Sequence, residues 1–333
     1  MSPRELGLGL QTDKRPGAYA ALARTAEESG FDVVTTFNDL WYQPALPALL
    51  EIAAATSRVR VGPACLNPYT VHPVEIAGQI AALDTASHGR AFLGLAAGAW
   101  LGDLGVEQRR PAATVREAWI VISKLLAGDT DGFEGEVFRL ASGTRLAYPV
   151  ERPAVPLLIG TWSPRLTELA GAEAHELKLG GTANPDLVRL VRERLDRAED
   201  AAGRERGSVS LVAGAVTVVG DDSHEARAHA RARVAMYIDV VAPLDPTLEL
   251  EPELIERIHT LLVEGDAKAA GRQIGDELLD RFAFSGTADE IAAQAAAIFD
   301  AGGTRVEFGG PHGLDEHDGV RLLGSRVVPQ LRA

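Results

Sequence analysis

Eight short apolar or β-branched runs recur along the chain, each parted from the next by a longer segment, and this alternation restricts the fold more than any other feature. The strand candidates are 5–10 (ELGLGL), 31–36 (FDVVTT), 59–65 (VRVGPAC), 90–95 (RAFLGL), 156–160 (PLLIG), 176–180 (ELKLG), 209–218 (VSLVAGAVTV) and 304–309 (TRVEFG). Apolar residues at helical spacing fill 17–29, 45–56, 73–86, 112–127, 163–174, 184–202 and 222–241. Gly30 and Gly302-Gly303 fall where helix C-termini favour a left-handed residue. Strands alternating with helices form parallel βαβ units, and eight of them predict an α/β fold closed into a (β/α)8 TIM barrel. A doubly wound sheet with a helical cap is the competing architecture.

Two stretches exceed a minimal barrel. Residues 129–155 alternate and carry glycine turns, which predicts a hairpin excursion. Residues 243–285 form a polar, mostly helical insertion. The expectation is one barrel domain spanning 1–333 with these two additions.

Charge and composition exclude several partners. The formal net charge is −14, from 33 basic and 47 acidic residues, with no basic cluster. Nucleic acid and anionic membranes need a positive footprint and are not expected to bind. No apolar run approaches the roughly 18–20 residues that span a bilayer, and the segment from Met1 to Glu5 does not read as a secretion signal. The single Cys65 excludes an intrachain disulfide framework and fits a reducing compartment, so a cytoplasmic location is expected.

Functional residues of a barrel lie at the C-terminal ends of its strands. These ends are rich in small residues and aromatics: Gln11; Asn38, Asp39, Trp41 and Tyr42; Ala64, Cys65 and Asn67; Ala97, Gly98, Ala99 and Trp100; Gly160, Thr161, Trp162 and Ser163; Gly180 and Gly181; Gly310 and His312. Metal-ligand spacings, a G-x-S-x-G elbow and a phosphate-binding P-loop are all missing from the sequence. Small residues let backbone approach a large planar ligand closely, and the aromatics would supply apolar walls. Equally, they can satisfy turn sterics and pack beneath loops.

The segments LNPYTVHPVEIAGQIAALD (66–84), GRAFLGLAAG (89–98), LLIGTWSPRLTELAG (157–171) and FSGTADEIAAQAAAIFDAGGTRVEFGGPHG (284–313) resemble the bacterial luciferase-like superfamily. More narrowly, they are similar to its coenzyme F420-dependent branch, which includes methylenetetrahydromethanopterin reductase and a glucose-6-phosphate dehydrogenase. That resemblance implies a luciferase-like barrel, a deazaflavin cofactor and a homodimer or higher homo-oligomer. It places a non-prolyl cis peptide at Ala64–Cys65, backing the ring, with Asn67 in the same turn. Asp39 would bond the cofactor head, and Ala97, Gly98 and Ala99 would flank the ring. Gly160, Thr161, Trp162 and Ser163, joined by Gly180 and Gly181, would hold the phosphate-bearing tail. Here the physics agrees, since Ser163-Pro164 reads as an N-cap followed by a first-turn proline, and free helix N–H groups bind anions.

The departures matter as well. An acid expected at the end of the first strand is Gly9, a histidine after Asp39 is Leu40, and a glutamate after the fourth-strand turn is Ala99. His312, Tyr69 and Trp41 remain as candidates to act on a small-molecule substrate, whereas His72 is placed to cap a helix and Cys65 to be an inert thiol. The expected reaction is hydride exchange between coenzyme F420 and an imine, enone or carbonyl in secondary metabolism. The rivals are a monooxygenase using reduced FMN and a cofactor-binding barrel that has lost catalysis.

Overall fold

The computed structural model describes residues 4–333; Met1–Pro3, which open the segment read above as no secretion signal, lie outside them. Strands β1 (Glu5–Leu10), β2 (Val33–Thr36), β3 (Arg60–Pro63) and β4 (Leu93–Ala96) are separated by helices α1 (Ala18–Glu28), α2 (Ala45–Ala55) and α3 (Pro73–Ala86). Helix α4 (Pro111–Ala127) leads to a short antiparallel pair, β5 (Phe133–Glu134) and β6 (Arg139–Leu140). Then follow β7 (Leu157–Gly160), α5 (Pro164–Glu173), β8 (Glu176–Gly180), α6 (Pro185–Ala201), β9 (Ser210–Val219) and α7 (Ser223–Val241). The second addition comprises α8 (Pro252–Val263), α9 (Ala267–Arg272) and α10 (Asp276–Phe282), and ends in strand β10 (Ala283–Gly286). Helix α11 (Ala288–Asp300), β11 (Arg305–Gly313), α12 (Glu316–Leu322) and α13 (Val328–Arg332) complete the chain.

All barrel pairings are parallel, in the order β3-β2-β1-β11-β9-β8-β7-β4. Two isolated bridges, Val61↔Ala91 and Leu66↔Leu95, close the circle between β3 and β4. The closed ring excludes the doubly wound alternative. A Cβ on Gly94 would lie 2.0 Å from the Pro63 carbonyl oxygen, so only glycine lets β4 pass this close to β3. Strand β10 takes the edge of β9 that β8 vacates: β8 pairs up to Gly180↔Gly214, and β10 starts at Ala283↔Val216.

Alternation along each strand sorts the residues. Leu6, Leu8 and Leu10 face the helices, whose buried stripes complete the main core. Inside the barrel, Val33, Phe92, Leu158 and Val212 form an apolar layer. Beneath it, the fully buried Arg305 lies 2.7 Å from Glu176, and Arg60 bonds Glu176 at 2.6 Å and Glu5 at 2.8 Å. Above it, at the level of the strand ends, Lys178 pairs with Glu307. A second apolar cluster joins α7–α10 to β9 and β10.

Candidate active site

The turn after β3 forms one wall of the barrel mouth. The Ala64–Cys65 peptide is cis, as is Gly310–Pro311 on the opposite side. Beyond it Asn67, nearly buried, accepts hydrogen bonds through Oδ1 from the Tyr69 and Thr70 N–H groups at 3.2 and 3.1 Å. That side chain lies 3.1 Å from where a Cβ on Gly98 would stand, and Gly98 adopts φ +86°, so the turn after β4 passes over Asn67 only as glycine. Gln108 then donates to the carbonyls of Ala97 and Gly98, both at 2.8 Å, fixing that turn from outside. Ala99 is exposed at its tip.

The turns after β7 and β8 form the facing wall. Thr161 accepts the Ser163 N–H at 2.9 Å, and Trp162 donates its indole N–H to the Gly180 carbonyl at 3.0 Å. Ser163 is the N-cap of α5 with Pro164 next, but its hydroxyl makes no capping bond, so the first-turn N–H groups are left to the solvent side. Gly181 takes φ +79° and donates to the Gly214 carbonyl at 2.7 Å. A Cβ on Gly180 would meet nothing within 4 Å, which marks open space here.

Between the walls the charges are few and buried. Asp39 is half-buried and accepts from Gln11 at 2.9 Å; burial raises its carboxyl above the usual range, with Gln11 and Lys178 acting against the rise. Cys65 retains some exposed surface, but its Sγ is close-packed, 2.7 Å from where a Cβ on Gly160 would lie. Burial pushes its thiol up to about 12, so it stays protonated near neutrality and is a poor nucleophile.

The three residues expected to act on substrate do not converge. Trp41 is 72% exposed at φ +72°, standing out from the rim. Tyr69 donates its hydroxyl to the Arg109 carbonyl at 2.6 Å and ties two loops together. His312 has no exposed surface; its Nε2 lies 3.2 Å from the Phe308 carbonyl and its Nδ1 3.5 Å from Glu316. His72 accepts the Val74 N–H at 3.3 Å, the capping contact expected of it. The structure adds Lys178 and Glu307, which lay outside the candidate set, and gives Gln11 a partner in Asp39. The signal for the added pair was available: Glu176/Lys178 and Arg305/Glu307 are charged pairs two apart in otherwise apolar strands, which puts both members inside the barrel.

A cavity of about 680 Å³ lies elsewhere, on the outer face of α3 against Tyr148 and Pro149. It faces away from the strand ends, where the reaction site of a barrel lies. Among the described residues no cluster suited to a metal ion occurs, and no helix is long and apolar enough to cross a membrane.

A model of the luciferase-like monooxygenases matches residues 1–305. The chain belongs to that family. Within it, the chain is 30% identical to 5,10-methylenetetrahydromethanopterin reductase of Archaeoglobus fulgidus, over 98% of this chain and 100% of that one. It is 28% identical to the F420-dependent glucose-6-phosphate dehydrogenase of Kineococcus radiotolerans, covering 99% and 98%. The solved coenzyme F420-dependent tetrahydromethanopterin reductase from Methanopyrus kandleri superposes with a TM-score of 0.90 at 24% identity, covering 99% and 100%, and so shares the fold. Eight parallel strands close the barrel of that shared fold here.

Proposed function

We propose that the protein is a coenzyme F420-dependent oxidoreductase that exchanges a hydride with a small organic substrate bearing an imine, enone or carbonyl. The observation that carries this reading is the composition of the mouth: turns carrying Ala64, Cys65, Gly98, Gly160 and Gly180 meet above a buried Lys178–Glu307 pair, with open space at Gly180 and Asp39 at the side. Full-length likeness to enzymes named for coenzyme F420 supports it. The residues fit such a group, because small side chains leave room for a tricyclic ring and the uncapped start of α5 suits a phosphate.

In this reading Asp39, Ala64, Cys65, Asn67, Ala97, Gly98 and Ala99 hold the ring, while Gly160, Thr161, Trp162, Ser163, Gly180 and Gly181 hold the tail. Bound coenzyme F420 supplies a two-electron hydride chemistry centred on carbon. The chain itself places the reacting carbons in contact and excludes water, with Trp100 and Trp162 as apolar walls. Gly9, Leu40 and Ala99 lack the acid and base groups that the resemblance assigns to the pterin and sugar-phosphate enzymes, which favours a different substrate, one of secondary metabolism. We place the enzyme in the cytoplasm as a homodimer, two copies meeting over the α3 groove lined by Gly78, Ala82, Thr85 and Tyr148.

Titration of the purified protein with coenzyme F420 and with FMN, followed by fluorescence quenching, tests the assignment. Binding of coenzyme F420 supports it, and tight FMN binding without coenzyme F420 binding refutes it. Substrate-dependent oxidation of the reduced coenzyme across a panel of imines, enones and carbonyls then separates an active enzyme from an inactive carrier.

A further inference from the structure

Lys178 and Glu307 form an ion pair in which neither side chain is more than 6% exposed, directly above the apolar layer of the barrel. Burying two charges there costs more than apolar residues of the same size would, so packing gives no reason for them. Glu307 also keeps one carboxylate oxygen, Oε2, without a partner. The surroundings are cut to fit the pair: a Cβ on Gly9 would stand 3.0 Å from Glu307 Oε1, one on Gly7 3.3 Å from Glu307 Cγ, and one on Gly214 3.3 Å from Lys178 Cε.

The ammonium lies against Phe37, with Nζ 5.1 Å from the centre of the ring. The charged or titratable groups that feel it there are Glu307 on β11, Asp39 after β2 and Cys65 after β3. Yet Lys178 makes no ion pair with Asp39, which bonds only neutral Gln11. Two carboxylates therefore compete for one buried cation, and Glu307 holds it.

We propose that Glu307 is a positioning residue of this site: its carboxylate keeps the Lys178 ammonium beneath Phe37 and so leaves Asp39 to a ligand at the mouth. Without Glu307, Lys178 would turn to Asp39 and occupy the group that faces the ligand. The inference rests on reading the mouth as a redox-cofactor site, but the charge arrangement itself can be measured with the site empty.

Cys65 is the chain's sole cysteine and reports the local charge. Its alkylation by iodoacetamide is followed at pH 8–9 in cofactor-free wild type, Glu307→Gln and the charge-balanced Lys178→Met/Glu307→Gln, the last guarding against misfolding from an unpaired charge. Well below its pKa, a thiol gains about tenfold in thiolate when that pKa falls by one. Glu307→Gln, which removes the carboxylate that raises the Cys65 thiol while keeping the lysine that lowers it, is expected to alkylate several-fold faster than wild type, and the double variant slower than Glu307→Gln. Equal rates in all three, with only the melting temperature changed, would make the pair structural and overturn the inference.

Coenzyme F420 binding is then measured against pH. The midpoint should fall in Glu307→Gln and rise again in the double variant; one midpoint for all three overturns the inference while leaving the cofactor assignment in place. Altered alkylation with no coenzyme F420 binding in wild type removes the cofactor assignment and supports the placement of Lys178 by Glu307.

Discussion

Trp162 and Gly180 join the two turns that close one side of the barrel mouth, the indole N–H donating to the glycine carbonyl at 3.0 Å. The bond lets a loop of small residues keep its shape without a ladder around it. Trp162→Phe keeps most of the packing and removes the donor, which should cost about 1 kcal/mol of stability. Coenzyme F420 affinity should fall several-fold, since the adjacent N-terminus of α5 loses its fixed place. Chemical denaturation and cofactor titration on the same variant check both.

Asp39 offers a half-buried carboxylate at the mouth, bonded to Gln11 at 2.9 Å. Asp39→Asn should weaken coenzyme F420 binding by about thirtyfold, the equivalent of about 2 kcal/mol for a charge-assisted bond. Fluorescence titration measures it. Unchanged affinity would place the cofactor head elsewhere.

Arg152 bonds both oxygens of Asp84 through Nε, at 3.1 and 2.9 Å, and also reaches the Ala91 carbonyl at 2.8 Å. The Asp84 side chain is 1% exposed, so losing its partner leaves a buried charge. Arg152→Ala should cost about 3–5 kcal/mol, read from urea unfolding, and should loosen the α3–β4 connection on which the mouth depends.

Glu27 sets an acid limit on stability. Burial works to raise its pKa, but the backbone N–H groups of Val59, Arg58 and Ser57, with the Ser57 hydroxyl, hold it at about 2 against an ordinary 4.5. The folded state thus binds this proton less readily than the unfolded chain. The stabilisation is complete above the unfolded pKa and drains away as pH falls from about 4.5 towards 2. Glu27→Gln should be less stable than wild type at pH 7 and approach it at pH 3, in paired denaturation series.

The α3 groove gives the last prediction. Ala82 and Thr85 are exposed on it, and Gly78 lets the Tyr148 hydroxyl approach to 3.2 Å of where its Cβ would be. Ala82→Arg puts a charge into that face and should convert the homodimer proposed above to a monomer of unchanged fold, read by light scattering and circular dichroism.

Much of this architecture was legible because it follows from period. The barrel strands alternate Leu, Ile or Val outward with glycine, charged residues and the Val33–Leu158–Val212 layer inward, and Gly30 and Gly302 end α1 and α11 at φ +87° and +100° as expected. Strand β10 was hidden because its Ala-Phe-Ser-Gly follows α10 without a turn residue and pairs with an edge of β9 that only the folded barrel leaves free. The extension of β11 to Gly313 was hidden by Gly309-Gly310-Pro311, which reads as a stop although the ladder resumes after a register shift at His312. Within the site, the small-residue turns could be read locally. Lys178 and Glu307 could not be joined in advance, since 129 residues separate them and only closure of the barrel brings them together.

The ring of strands is fastened unevenly. Seven of its junctions are ladders, whereas β3 meets β4 through two lone bridges with Cys65 in the interval between them. Between those two clasps the wall is shut by close approach, Gly94 against the Pro63 carbonyl, and the peptide groups there are excused from holding neighbours together. Any change of shape in that interval is borne by two clasps alone, while the remaining staves keep the vessel closed.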